Sequence, residues 1–284
     1  MKMREECVEC LYHQHRRLLK SGKLPSEIAE RSLREFEKHI QTLDIKEFTP
    51  PEVAGVFYDV LHRNTAISDL YAEEKRISTE FALTLYDEFA EKLKVSSNRF
   101  TDIIKLVIAG NIIDYGADKD FTMDKARSYI ANALKAEVDS AKTEKLKSLM
   151  DQAKTIFYVA DNCGEVVFDR FLMGEYRDKI TLGVRGKPIL NDVTINELEM
   201  SQLNDFQVVS TEDNVPGVSL RKSGKDFLHH LYNSDLVIAK GQGNYESLHE
   251  IERPICHLLC IKCDVISSLV AVPKFNTYIE IRNC

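Results

Sequence analysis

The sequence predicts an α/β protein: a three-layer α/β/α sandwich with a mostly parallel sheet, preceded by an all-helical N-terminal subdomain. Two observations carry this. After Thr155, short β-rich apolar runs alternate with stretches of helical periodicity, the pattern of parallel strands joined by crossover helices. Before that point helical periodicity is nearly unbroken and no convincing strand occurs. The change of period divides the chain into 1–153 and 154–284. With no repeat, low-complexity tract or long linker between them, the helical half is expected to pack against the sheet.

Taken in order, Lys2–Lys20 places Met3, Cys7, Leu11 and Leu18 near one helical stripe. Ile28, Leu33, Phe36 and Ile40 mark a second helix. Thr49-Pro50-Pro51-Glu52 is a capping box with prolines in the first turn, opening a third helix to about Leu61. A long amphipathic run covers Ser68–Leu93, and Phe100–Tyr115 is apolar enough to be buried. Thr122 caps Met123–Val138, and Glu144–Ala153 closes the helical half. Candidate strands follow at Ile156–Ala160, Ile180–Val184, Phe206–Val209, Leu236–Ala239 and Ile255–Lys262. Between them lie helical stretches at about Glu165–Arg177, Thr194–Leu203, Lys225–Asn233 and Asn244–Ile251.

The 284 residues are 44% hydrophobic and 29% charged, which describes an ordinary globular chain with a full core. A formal charge of −7 argues against nucleic acid as the main partner, since phosphate backbones demand a basic surface. No apolar run approaches the ~20 residues of a membrane span, and MKMREECVEC lacks the apolar centre of a signal peptide, so a cytoplasmic location and no membrane partner are expected. The cysteines number seven, an odd count, and their scatter is not a disulfide framework. Cys256, Cys260 and Cys263 read as small buried thiols on or near an apolar strand. Cys7 and Cys10, one helical turn apart and followed by His13 and His15, could form a second metal site. Without a second Cys/His pair to complete the four ligands that zinc wants, a structural cluster or no metal binding is the favoured reading.

Chemistry concentrates at the predicted strand ends, where open α/β sheets bind ligands. The first strand stops at Asp161-Asn162, with Glu165 opening the next helix. Asp161 and Asn162 offer hard oxygen ligands suited to Mg²⁺ or Mn²⁺, although either could simply cap that helix. Asn191 and Asp192 stand at the corresponding place after the second strand, with the same two readings. Lys240-Gly241-Gln242-Gly243-Asn244 is a strand end, a glycine-rich turn and a helix start, able to present N–H groups and a cation to an anion. It lacks P-loop spacing, and the first strand lacks G-x-G-x-x-G, which disfavours NTPase and dinucleotide sites. Asn111 and Asp114 are polar residues near the end of a buried helix; they serve its C-terminus or lean over the strand-end site.

Together, AGNIIDYG, VADNCGEVVFD, GKPILNDVT, KGQGNYE and IKCDVI resemble the damage-control metabolite phosphatase family (domain of unknown function 89). They stand in consistent order from 109 to 266, and Cys7-x-x-Cys10 is similar to the start of its microbial branch. The resemblance implies a divalent-metal phosphatase (Mg, Mn, Co or Ni) hydrolysing small phosphorylated metabolites, often damaged ones. It implies that Asp161, Asn162 and Asp192 hold the metal, and that Lys240 and Gly241 face phosphate, with Gly243, Asn244, Asn111 and Asp114 as substrate-binding candidates. Asp161, Glu165 and Glu246 are candidates for catalysis. Cys163 stands where such proteins more often carry a small residue such as Ala. Two other functions remain open at this point: an S-adenosylmethionine-dependent carboxyl methyltransferase, and a non-catalytic metal-dependent ligand binder.

Overall fold

A computed structural model describes residues 1–112 and 122–284, so Asp114 lies outside the described residues. Among these, strands β1 (Ile156–Val159), β2 (Ile180–Val184), β3 (Gln207–Ser210), β4 (Leu236–Lys240), β5 (Ile255–Cys260) and β6 (Thr277–Arg282) form one sheet in the order β3-β2-β1-β4-β5-β6. All neighbours pair parallel except β5 and β6. The chain runs outward from β1 through β2 to β3, then returns to β4 on the other side. The gap beyond the carboxyl ends of β1 and β4 is therefore the topological switch point, where an open sheet leaves a crevice.

Alternation along the buried strands feeds two cores. Ile156, Tyr158, Leu236 and Ile238 join a cluster with α4 (Ala72–Lys94), α5 (Arg99–Ala109), α6 (Met123–Ala133), α7 (Ser140–Gln152) and α8 (Glu165–Glu175). Phe157, Val159, Val237 and Ala239 face Phe227 and Leu231 of α9 (Lys225–Asn233) and Leu248 of α10 (Gly241–Leu248). A third cluster joins α1 (Glu5–Lys20), α2 (Ser26–Gln41) and α3 (Pro50–Asn64) to Tyr245 of α10 and Ile266 of α11 (Asp264–Val270). The helices before residue 153 thus share their cores with the sheet.

Three expectations need correction. Thr194–Leu203 does not form an α-helix: the Thr194/Glu197 capping box is present, but only a 3₁₀ turn follows at Ile195–Glu197. Leu198 and Leu203 reach the core, but Ile195 and Met200 are exposed, so the apolar residues do not keep to one helical face, and Gln202 takes φ +56°. The strand β6 and the short helix α11 escaped prediction. Only Ile279 of β6 is buried, so its TYIEIR alternation contributes little to the core. The Thr49–Glu52 capping box, by contrast, is fully formed, worth about 1 kcal/mol of cap stability.

His15 is no metal ligand: it lies in the helical core, stacked on Phe57 with ring centroids 3.4 Å apart. Burial pushes its imidazole down to about 3, and does the same to His257 in β5. An unfolded histidine titrates near 6.5, so between that pH and 3 the unfolded chain takes up protons that the folded one refuses. The two rings contribute stability that is full above about 6.5 and drains away as pH falls towards 3. The melting temperature should therefore drop on acidification, and a His15→Leu/His257→Leu variant should show a shallower drop. Parallel profiles for parent and variant would refute this.

Candidate active site

The site begins as a zipper between two strand tips. The Asp161 carbonyl accepts from Val193 N at 2.9 Å, Cys163 N donates to Asn191 O at 2.8 Å, and Asn162 bridges Asp192 in antiparallel fashion. A loop that leaves β2 is thus folded back onto the end of β1, which brings Asp192 beside Asn162. The far side of the loop is anchored by Lys75 of α4, buried and ion-paired with Glu197 at 3.3 Å and Asp69 at 2.9 Å. Gly164 then turns the chain into α8 at φ +81°, where a Cβ would stand 3.0 Å from the Ser78 carbonyl oxygen.

Arg185, at the end of β2, is buried and ties the pieces together. Its Nε donates to Asp192 Oδ2 at 2.7 Å and its Nη2 to Asn244 Oδ1 at 2.9 Å, while Nη2 stands 3.8 Å from Asp161 Oδ1. Asn244 spends its amide hydrogens on the Lys240 and Ala160 carbonyls, at 2.7 and 3.0 Å. The Asp161 carboxylate itself packs against the start of α10. Gly241 takes φ +75° there, and a Cβ on it would fall 1.8 Å from Asp161 Oδ2.

These elements enclose a cavity of about 230 Å³. Asn111, Asp161, Asn162 and Asp192 line it together with Gly243 and Glu246, and α1 closes it with Cys7 and Cys10. Residues from five separate stretches of the predicted set therefore meet in one place. Lys262 and Cys263, following β5, also line it. A larger cavity, about 360 Å³, lies by Leu149, Lys154 and Asp235, but the Asp235 carboxylate there is taken by the backbone N–H groups of Lys154 and Thr155.

Four predicted residues do not line the cavity: Gly241, which packs against Asp161 as described, and Lys240, Glu165 and Asn244. The expectation that Lys240 faces phosphate is not what the structure shows: its fully buried ammonium donates to Val107 O at 2.9 Å, Asp169 Oδ1 at 2.7 Å and Glu165 Oε1. The reason is strand parity. Lys240 is the last residue of β4 and shares a face with Leu236 and Ile238, which puts its side chain under α5 and α8. Glu165 is buried between Lys240 and the Asn111 amide, and Asn244 staples strand ends. The cation at the cavity is instead Lys262, whose Nζ donates to the Asn111 carbonyl at 2.7 Å. Its position as the last residue of the fifth predicted strand was the available signal. Arg185 had a similar one, at the end of the second.

The electrostatics mark the spot. Burial, and then the nearby Glu165 and Asp192 carboxylates, hold the Asp161 carboxyl well above the usual range, against the pull of Arg185 and Lys262. Asn111 Nδ2 donates to Asp161 Oδ2 at 2.9 Å and to Glu165, which leaves Asn111 Oδ1 buried with no hydrogen-bond partner among the described residues. Crowded carboxylates and an orphaned amide oxygen suit a hard divalent cation, whose charge would offset the repulsion. The donor set is two carboxylates with amide oxygens; among the described residues, no three His, Cys, Asp or Glu side chains are grouped to hold a metal ion. Burial pushes Glu246 up to about 7 and raises the Cys7 and Cys10 thiols.

Fold and cavity together define an α/β protein whose candidate site gathers acidic and amide oxygens at the sheet's switch point. The chain belongs to the damage-control phosphatase ARMT1-like domain family, whose model matches residues 3–277. It is 29% identical to a damage-control phosphatase of Pyrococcus horikoshii over 96% of both chains, and 30% identical to an uncharacterized protein of Methanocaldococcus jannaschii over 96% of this chain and 93% of that one. A damage-control phosphatase of Archaeoglobus fulgidus is 25% identical over 96% of each. The crystal structure of the Pyrococcus horikoshii DUF89 family protein superposes with a TM-score of 0.88 over the full length of both chains, at 28% identity.

Proposed function

We propose that this chain is a divalent-metal-dependent phosphatase that hydrolyses a small phosphorylated metabolite. The observation that carries the reading is the Asp161–Asp192–Asn111 cluster. Two buried carboxylates line one cavity together with Asn111, whose amide oxygen has no hydrogen-bond partner among the described residues, in a chain from a phosphatase family. Asp161, Asn162 and Asp192 would hold the ion, with Mg²⁺, Mn²⁺, Co²⁺ or Ni²⁺ as candidates. When bound, the ion would neutralise phosphoryl oxygens and so ease attack at phosphorus.

The chain's own groups share the remaining tasks. Lys262 places positive charge at the cavity, and the first turn of α10, through Gln242 and Gly243, turns the positive end of a helix towards an anion. Glu246, titrating near neutral pH, is suited to hand a proton to the departing oxygen. At about 230 Å³ the cavity is below the usual range for drug-sized ligands, which favours a compact metabolite.

The test is turnover of p-nitrophenyl phosphate by purified protein, stripped with a chelator and then supplied with each of the four metals. Activity should vanish on stripping and return with at least one ion. Metal binding without turnover of this or any sugar or nucleotide phosphate would leave a ligand binder rather than an enzyme.

A further inference from the structure

We propose that Lys240 is a positioning residue for Asp161, acting through Glu165 and Asn111; the inference rests on the metal-site reading above. Lys240 has three ammonium protons and three acceptors: Val107 O, Asp169 Oδ1 and Glu165 Oε1. Glu165 and Asp169 are four apart on α8 and so present both carboxylates to the same lysine. The second oxygen of Glu165 accepts from Asn111 Nδ2, and the same amide group donates to Asp161 Oδ2 at 2.9 Å. Asn162 Nδ2 adds a second donor to that oxygen at 3.0 Å.

The consequence is directional. An amide nitrogen lying between two carboxylates can only be the donor end of Asn111, so its Oδ1 must point elsewhere. Asp161 Oδ2 is occupied by amide donors, which leaves Oδ1 as the oxygen presented to a cation. Release Glu165 from Lys240 and the Asn111 amide loses the partner that fixes its orientation. Lys240, Glu165 and Asp169 are all fully buried, an arrangement costly to desolvate and therefore weak as a source of stability. Orientation of the site is what it supplies.

The experiment measures Mn²⁺ affinity by titration calorimetry alongside kcat and KM for p-nitrophenyl phosphate. Lys240→Met/Asp169→Asn removes one ammonium and one carboxylate together, so the cluster keeps its net charge. Mn²⁺ affinity should fall about tenfold or more, the usual effect of losing an outer partner of a metal ligand. KM at saturating Mn²⁺ should stay near the parent value. Asn111→Ser should weaken Mn²⁺ similarly, and combining all three changes should add little, because the steps lie on one relay. Glu165→Gln, with one acceptor oxygen where two are needed, keeps the test alive if the double variant does not fold; it should also weaken Mn²⁺.

Unchanged Mn²⁺ affinity with a raised KM would make Lys240 a phosphate contact and overturn the relay. Losses that multiply in the combined variant would overturn it too, as independent structural damage. A parent protein that binds none of Mn²⁺, Mg²⁺, Co²⁺ and Ni²⁺ would instead overturn the functional reading itself; where another of the four binds in place of Mn²⁺, that ion serves as the probe.

Discussion

Asp161→Asn should give a folded protein without metal-dependent phosphatase activity. The substitution keeps the side-chain shape and leaves an oxygen to accept from the Asn111 and Asn162 amides, which now reach Asp161 Oδ2 at 2.9 and 3.0 Å. It removes a negative ligand from a candidate cation site. Since losing even an outer partner costs 10–100-fold in metal affinity, a direct ligand should cost at least about 100-fold. Stability without metal should not suffer. The parent carboxylate is strained by burial and by Glu165 and Asp192, so removing its charge relieves repulsion. The melting temperature of the metal-free variant should match or exceed that of the metal-free parent. Parental turnover by purified Asp161→Asn would end the assignment; a helix cap alone would lose almost nothing, because Asn caps as well as Asp.

The second large effect is expected at Gly241. Gly241→Ala would require a left-handed backbone at φ +75° and a methyl group 1.8 Å from Asp161 Oδ2. The backbone penalty is about 1–2 kcal/mol. The clash cannot be relieved without moving either the turn or the carboxylate. The melting temperature should fall by several degrees, and kcat/KM should fall far more than the loss of folded protein explains. Asp161→Asn and Gly241→Ala combined should be nearly as inactive as either alone, since both disable one carboxylate. A fully active Gly241→Ala enzyme would show that Asp161 has room the structure does not provide.

Much of the sheet was legible because β1, β2, β4 and β5 are short apolar runs separated by helical periodicity, and burial on both faces leaves that signal unmixed. The strand β6 was not, because Ile279 is the one buried residue of its TYIEIR run and the remainder carries little apolar signal. The meeting of Asp161, Asn162 and Asp192 was anticipated from strand ends, but the direction of Lys240 was not. Reading a Lys-Gly-x-Gly turn as an anion loop assigns the lysine to the loop. Counting parity from Leu236 and Ile238 assigns it to the strand and sends its side chain inward. Arg185 was passed over because nothing local reveals that three distant carbonyl-bearing side chains, Asp161, Asp192 and Asn244, will surround it. Tertiary partners of that kind are set by loop geometry, which hydrophobic periodicity does not encode.

The cavity also has a bearing on how the chain matures. Its lining is drawn from Glu6 to Val265, with Pro51, Asn111, Asp192 and Glu246 among the pieces between. Any fragment that ends before β5 lacks Lys262 and Cys263, and any that omits α1 leaves the cavity open on the side of Cys7 and Cys10. The pocket is thus a long-range assembly, of the sort that loop-closure entropy makes late to form. A ligand seated there would recognise only the finished chain and would draw the folding equilibrium towards it by mass action. Occupancy would report completion of the fold, and a polypeptide still emerging from synthesis would have no working site to expose.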